Sequence, residues 1–93
     1  MSETPTRVTR IRARLQEAFA PQELEIEDQS HLHAGHAGAR DGRGHFRVII
    51  RAQAFSGLSP LARHRRVYQA LDDLMRTDIH ALSIRALAPE DDD

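Results

Sequence analysis

Ninety-three residues without a single cysteine must fold by burying one core. No disulfide framework is available to such a chain. The length suits a single small domain, near the lower limit at which a core holds without staples. A hydrophobic share of 40% against 29% charged residues is that of an ordinary globular fold. No apolar stretch approaches the roughly 18 residues a membrane span requires, and Met1 to Arg7 lacks the apolar centre of a secretory signal. The expectation is a cytoplasmic protein that does not engage a membrane.

With thiolate excluded, the six histidines must carry any metal chemistry, because imidazole is the remaining borderline-soft ligand and also titrates near neutral pH. Their positions are uneven. His31, His33 and His36 crowd into a glycine-rich stretch, His45 opens the next apolar run, His64 lies among arginines, and His80 sits inside a later apolar run. If the chain holds a transition metal or an iron–sulfur centre, any thiolate ligand must come from another molecule.

The net charge of −1 hides an asymmetry. Lysine is absent, so all 13 cations are arginine, and the last four residues, Glu90 to Asp93, are acidic. A near-neutral balance provides no domain-wide basic field for nucleic acid.

Thr4-Pro5 has the pattern of a helix start, a capping hydroxyl followed by proline at the first helical position. Val8, Ile11, Leu15, Ala18 and Phe19 follow at steps of three and four, which predicts a helix over about 5–20. At Glu23–Asp28 the period changes to two, with Leu24 and Ile26 against three glutamates, the pattern of a strand with one solvated acidic face. Residues 31–44 hold four of the five glycines and are expected to form a loop of about 14 residues, long enough to be functional or mobile. His45–Arg51 alternates as a second strand, with Phe46, Val48 and Ile50 on one face. Ser59-Pro60 repeats the capping signal, and Leu61, Val67, Tyr68, Leu71, Leu74 and Met75 predict one helix over about 60–76. Ile79–Leu87 is a third strand with Leu82 and Ile84 inward. The order αββαβ implies an α+β sandwich, an antiparallel pair flanking the long loop and a helical crossover before the third strand. Residues 1–4 are expected to be flexible, 5–89 to form the domain, and 90–93 to be a frayed acidic tail.

These residues resemble the BolA family from about Arg10 to Pro89. The resemblance is carried by Ser30-His31-Leu32-His33-Ala34-Gly35-His36-Ala37-Gly38, His45-Phe46-Arg47-Val48, Phe55-Ser56-Gly57-Leu58-Ser59, Arg63-His64-Arg65 and Ile79-His80-Ala81-Leu82-Ser83-Ile84. It implies a class II KH-like α+β fold with a three-stranded mixed sheet packed by helices on one face. It also implies partnership with a monothiol glutaredoxin of the CGFS type, in a heterodimer sharing a [2Fe–2S] cluster. One iron would be held by the glutaredoxin's cysteine and glutathione, the other by residues of this chain. The third-strand motif maps that role to His80. The loop ligand maps most naturally to His33, with His36 and then His31 as rivals. No cofactor is expected in the isolated chain. Imidazole on one iron raises a cluster's potential relative to all-thiolate ligation, and protonation of histidine competes with the metal; both suit a carrier or sensor in iron–sulfur trafficking or iron and redox regulation.

His45 and His64, with Arg63 and Arg65, are assigned to partner docking or structure. Arg63, Arg65 and Arg66 also support a different reading, a DNA-binding transcriptional regulator, since parts of the family are associated with DNA. Gly35-His36-Ala37-Gly38 spells the GxxG of nucleic-acid-binding KH domains, but it falls between two strands and few aromatics are available for stacking. A third reading takes His31, His33 and His36 as a self-contained H-x-H-x-x-H site for zinc, nickel or copper. No nucleophile–base–acid constellation can be assembled, so neither an enzyme nor a small-molecule substrate is expected.

Overall fold

A computed structural model describes residues 6–29 and 44–92. The order is α1 (Arg7–Phe19), β1 (Glu23–Asp28), β2 (Gly44–Arg51), a 3₁₀ turn (Gln53–Phe55), α2 (Pro60–Ala70), α3 (Asp72–Thr77) and β3 (Ile79–Leu87). The sheet runs β1-β2-β3, with β1 antiparallel and β3 parallel to β2. This is the expected α+β arrangement with a mixed three-stranded sheet. His31, His33, His36, the rest of residues 30–43, and the predicted Thr4-Pro5 cap lie outside the described residues.

Helix α1 is capped by Thr6, whose hydroxyl accepts the Thr9 N–H at 3.1 Å and so satisfies one of the orphan donors of the first turn. Its stripe places Ile11 and Leu15 wholly in the core. It ends at Ala20, which adopts a left-handed conformation (φ 45°) while its N–H bonds back to the Gln16 carbonyl. In β2 the alternation holds: Phe46, Val48 and Ile50 are buried, and Arg47 is exposed. Phe55–Leu58 is a tight turn closed by Leu58 N–H to the Phe55 carbonyl. Ser56 (φ −61°, ψ 132°) is followed by Gly57 at φ 78°, the type II geometry that calls for glycine at its third position. The Ser59 hydroxyl then accepts Ala62 N–H, and Pro60 occupies the first turn of α2.

The single helix expected over 60–76 is two helices. At Leu71 the backbone leaves helical geometry (φ −105°, ψ 14°), and its N–H is shared between the Val67 and Tyr68 carbonyls. Asp72 and Asp73 explain the restart. Aspartate is a poor helix-interior residue but is favoured by the dipole of a first turn, which is where both stand in α3. Leu71 and Leu74, on either side of the restart, are both buried, so the 3.6-residue spacing persists through the break.

All helices pack on one face of the sheet. Ile11 and Leu15 from α1, Phe46, Val48 and Ile50 from β2, Val67 from α2, with Leu71, Leu74 and Ile79, form the centre of the core together with Phe55. The C-terminal residues are bound rather than frayed as far as Asp91. The Asp91 carboxylate accepts the Ala88 N–H and the Arg63 guanidinium, its carbonyl accepts from Arg51, and Glu90 meets the Ser56 hydroxyl. The Ala88 N–H first, then Arg63, hold the Asp91 carboxyl below the usual carboxylate range.

Candidate metal centre

Strands β2 and β3 are parallel, so their first residues meet at one corner of the sheet. Gly44 pairs with Ile79, but His45 pairs with Ala81. One residue of β3, His80, is therefore extra. Period-two alternation would otherwise put His80 on the face of Leu82, Ile84 and Ala86, which pack against the core. The bulge changes the phase: Ile79 is fully buried and His80 is exposed. Bulges are rare in parallel pairs and recur where a side chain must be re-aimed.

The ring His80 is brought against belongs to His45. The two centroids lie 5.2 Å apart at an interplanar angle of 51°. His45 is half-buried, with its Nε2 shielded from solvent. The corner is fastened on both sides. Gln29 N–H donates to the His45 carbonyl at 2.8 Å, and Gly44 N–H donates to the Asp78 carbonyl at 2.9 Å. Asp78 is itself buried. Its carboxylate accepts the Thr77 hydroxyl and the Arg10 guanidinium and lies 3.4 Å from Arg7 Nε. The Thr77 bond first, then Arg10 and Arg7, outweigh burial and hold the Asp78 carboxyl below the ordinary carboxylate value. Beside the histidines lies an open hollow of about 230 Å³, lined by Gln29, His45, Phe46, Ala81, Leu82 and Ser83.

Among the described residues no group of three or more histidine or carboxylate side chains converges. Among the described residues the corner thus brings together two imidazoles, about half the four ligands a tetrahedral site takes. This donor set fits one side of a centre shared with another molecule, with His80 as the accessible donor and His45 as its neighbour. The sequence assigned His45 to docking or structure. The signal for its place was present, because it begins β2 as His80 begins β3, and parallel pairing puts strand beginnings together.

The arginines divide sharply. Arg63 is spent internally: Nε donates to the Leu58 carbonyl, Nη1 to the Ala86 carbonyl and to Asp91. Arg7, Arg10, Arg14, Arg51 and Arg76 also form ion pairs, and Arg12 donates to the Leu24 carbonyl. Arg47, Arg65, Arg66 and Arg85 are exposed and have no ion pair among the described residues. His64 is half-buried on α2.

The family described as BolA-like protein matches residues 15–91. The chain belongs to the BolA family. Chloroplastic protein BOLA1 of Arabidopsis thaliana is 43% identical over 88 residues, covering 91% of this chain and 55% of that protein. The solved structure of BolA1 from A. thaliana superposes with a TM-score of 0.82 at 37% identity, covering 97% of this chain and all of that one. The chloroplastic/mitochondrial SufE-like protein 1 of A. thaliana is 45% identical over 90% of this chain, which spans 24% of its length. A Haemophilus influenzae relative named DNA-binding transcriptional regulator BolA is 35% identical, covering 87% of this chain and 76% of that protein. This BolA-family chain thus spans a quarter to about half the length of the two plant relatives. Their names place them in organelles, so the family does not fix a compartment. No described helix is long and apolar enough to cross a membrane.

Proposed function

We propose that this chain is an adaptor that binds a monothiol glutaredoxin of the CGFS type and co-ligates a [2Fe–2S] cluster as shared cargo, in iron–sulfur trafficking or iron and redox regulation. The observation that carries this reading is the bulge: His80 is turned out of the core and set 5.2 Å from a second imidazole. Cluster ligation there needs a second nitrogen and thiolates from elsewhere. The second nitrogen comes from His33, His36 or His31, or from His45. The segment bearing the first three is tethered at Gln29 and Gly44, both hydrogen-bonded to this corner. The partner's cysteine and its glutathione supply the thiolates that a chain without cysteine lacks. Imidazole ligation raises the potential of the iron it binds and makes release responsive to protons.

Co-expression with a CGFS glutaredoxin tests the reading. The expected product is a coloured heterodimer whose visible circular dichroism differs from that of the glutaredoxin homodimer, and His80→Ala should abolish the difference. No complex and an unchanged spectrum would overturn it.

A second reading, a DNA-binding regulator, is favoured by the name of the H. influenzae relative and by exposed Arg65 and Arg66 on α2. It requires salt-dependent binding to duplex DNA whose slope falls when those arginines are replaced. No binding at low salt rejects it.

A further inference from the structure

Leu61 (59% exposed) and Tyr68 (39%) are the exposed large hydrophobic side chains of the described chain, and both stand on α2. Scattered surface apolar residues need no explanation, but these two form a stripe. At 100° per residue, positions 61, 65 and 68 fall within about 60° of one another on the helix. Arg65 therefore lies on the stripe between Leu61 and Tyr68. It is exposed and has no ion pair among the described residues.

The stripe borders the candidate centre. Helix α2 runs alongside the outer edge of β3, which among the described residues pairs only with β2. The Tyr68 hydroxyl donates to the Leu82 carbonyl at 3.4 Å, two residues from His80, and Arg63 Nη1 donates to the Ala86 carbonyl at 3.1 Å. Those two bonds occupy outward carbonyls that an added strand would need, so this edge is guarded against strand addition. A partner approaching here must dock on side chains. An apolar centre with an aromatic ring and an unpaired arginine is the composition of an interface hot spot.

We propose that the Leu61–Arg65–Tyr68 stripe is the docking face for the protein that brings the thiolate ligands, and that its counterpart on that protein is an apolar patch flanked by carboxylates. Arg65 requires the carboxylates, and Leu61 and Tyr68 require the apolar patch. Nucleic acid fits less well, because Leu61 would then lie idle. The proposal rests on the reading above only in placing the partner at the His80 corner.

Titration calorimetry of the full chain against a monothiol CGFS glutaredoxin, at low and at high salt, tests it. Leu61→Asp and Arg65→Glu should each weaken binding at least tenfold. Arg85→Glu, on the opposite face of the sheet, should leave the affinity unchanged, and thermal melts should show all three variants folded. Wild-type affinity in both stripe variants would overturn the docking face while leaving the proposed function standing. A wild-type chain that forms neither complex nor coloured centre would remove the proposed function itself. A wild-type dimer that Leu61→Asp turns into a monomer would assign the stripe to a second copy and overturn the proposal. DNA binding lost in Arg65→Glu but kept in Leu61→Asp would overturn it in favour of nucleic acid.

Discussion

His80 and His45 hold their rings 5.2 Å apart because β3 uses two residues where β2 uses one. This separates the presentation of His80 from the packing of the strand. Ile79 is the residue that fills the core at this corner, whereas His80 is exposed. Deleting His80 should leave Gly44 opposite Ile79 and His45 opposite Ala81 with no interruption. The deletion variant is expected to fold with stability within about 1 kcal/mol of wild type, the usual range for changes away from packed sites. It should also lack the distinctive spectrum proposed for the wild-type complex with a glutaredoxin. Urea denaturation with visible spectroscopy reads both. An unfolded deletion variant would show that the bulge serves packing.

Arg63 makes a contrasting prediction. Its guanidinium ties the turn before α2, through the Leu58 carbonyl, to β3, through the Ala86 carbonyl, and to the chain end at Asp91. Removing it leaves two backbone acceptors unsatisfied. Arg63→Ala should destabilise the fold by about 2 kcal/mol, as expected for losing charge-assisted bonds in a largely enclosed site. Amide exchange at Ala88, whose N–H donates to Asp91, should accelerate. Glutaredoxin affinity should be unchanged where the variant is folded. Weaker binding without loss of stability would return Arg63 to the docking role that its neighbours in sequence suggest.

These two residues mark where the sequence stops being legible. The strand Ile79–Leu87 and its inward Leu82 and Ile84 follow from local alternation, and the order αββαβ follows from the changes of period. The phase slip at His80 does not, because a bulge is defined by the partner strand, and the pairing of Gly44 with Ile79 joins positions 35 apart. The break at Leu71 is hidden for a different reason: Leu71, Leu74 and Met75 keep helical spacing across it. Arg63, Arg65 and Arg66 look alike in the sequence, and only the position of β3 and Asp91 separates the enclosed cation from the exposed ones. His33 and His36 lie outside the described residues, and their part in the proposed ligation rests on the family motif.

Asp78 supplies a pH-dependent prediction. Its carboxyl is held below the ordinary value by Thr77 first, with Arg10 and Arg7 adding to the effect. A folded-state pKa below the unfolded one means the native state binds this proton less readily. The stabilisation is therefore fully present above the ordinary carboxylate value, about 3.9, and is lost as pH falls through the lower folded value. Asp78→Asn should cost about 1–2 kcal/mol at neutral pH, a discounted figure because both arginines are partly exposed. The gap between variant and wild type should close on acidification below about pH 4. Urea midpoints measured from pH 7 down to pH 2 check the sign. A gap that widens in acid would contradict the assignment.

The end of α1 offers the converse, a place where the fold can be improved. Ala20 sits at φ 45°, ψ 57°, closing the helix through its N–H bond to the Gln16 carbonyl. A Cβ in that region crowds the following carbonyl, and helices most often meet the need with glycine. Ala20 is exposed, so its methyl contributes little packing, and the backbone bond survives its removal. Ala20→Gly should therefore raise stability by about 0.5–1 kcal/mol, with relief of strain exceeding the extra chain entropy glycine brings to the unfolded state. The urea midpoint should rise with an unchanged slope, the signature of a stability change that leaves the surface exposed on unfolding the same. A lower midpoint would mean that the entropy of the unfolded glycine outweighs the left-handed strain at this cap.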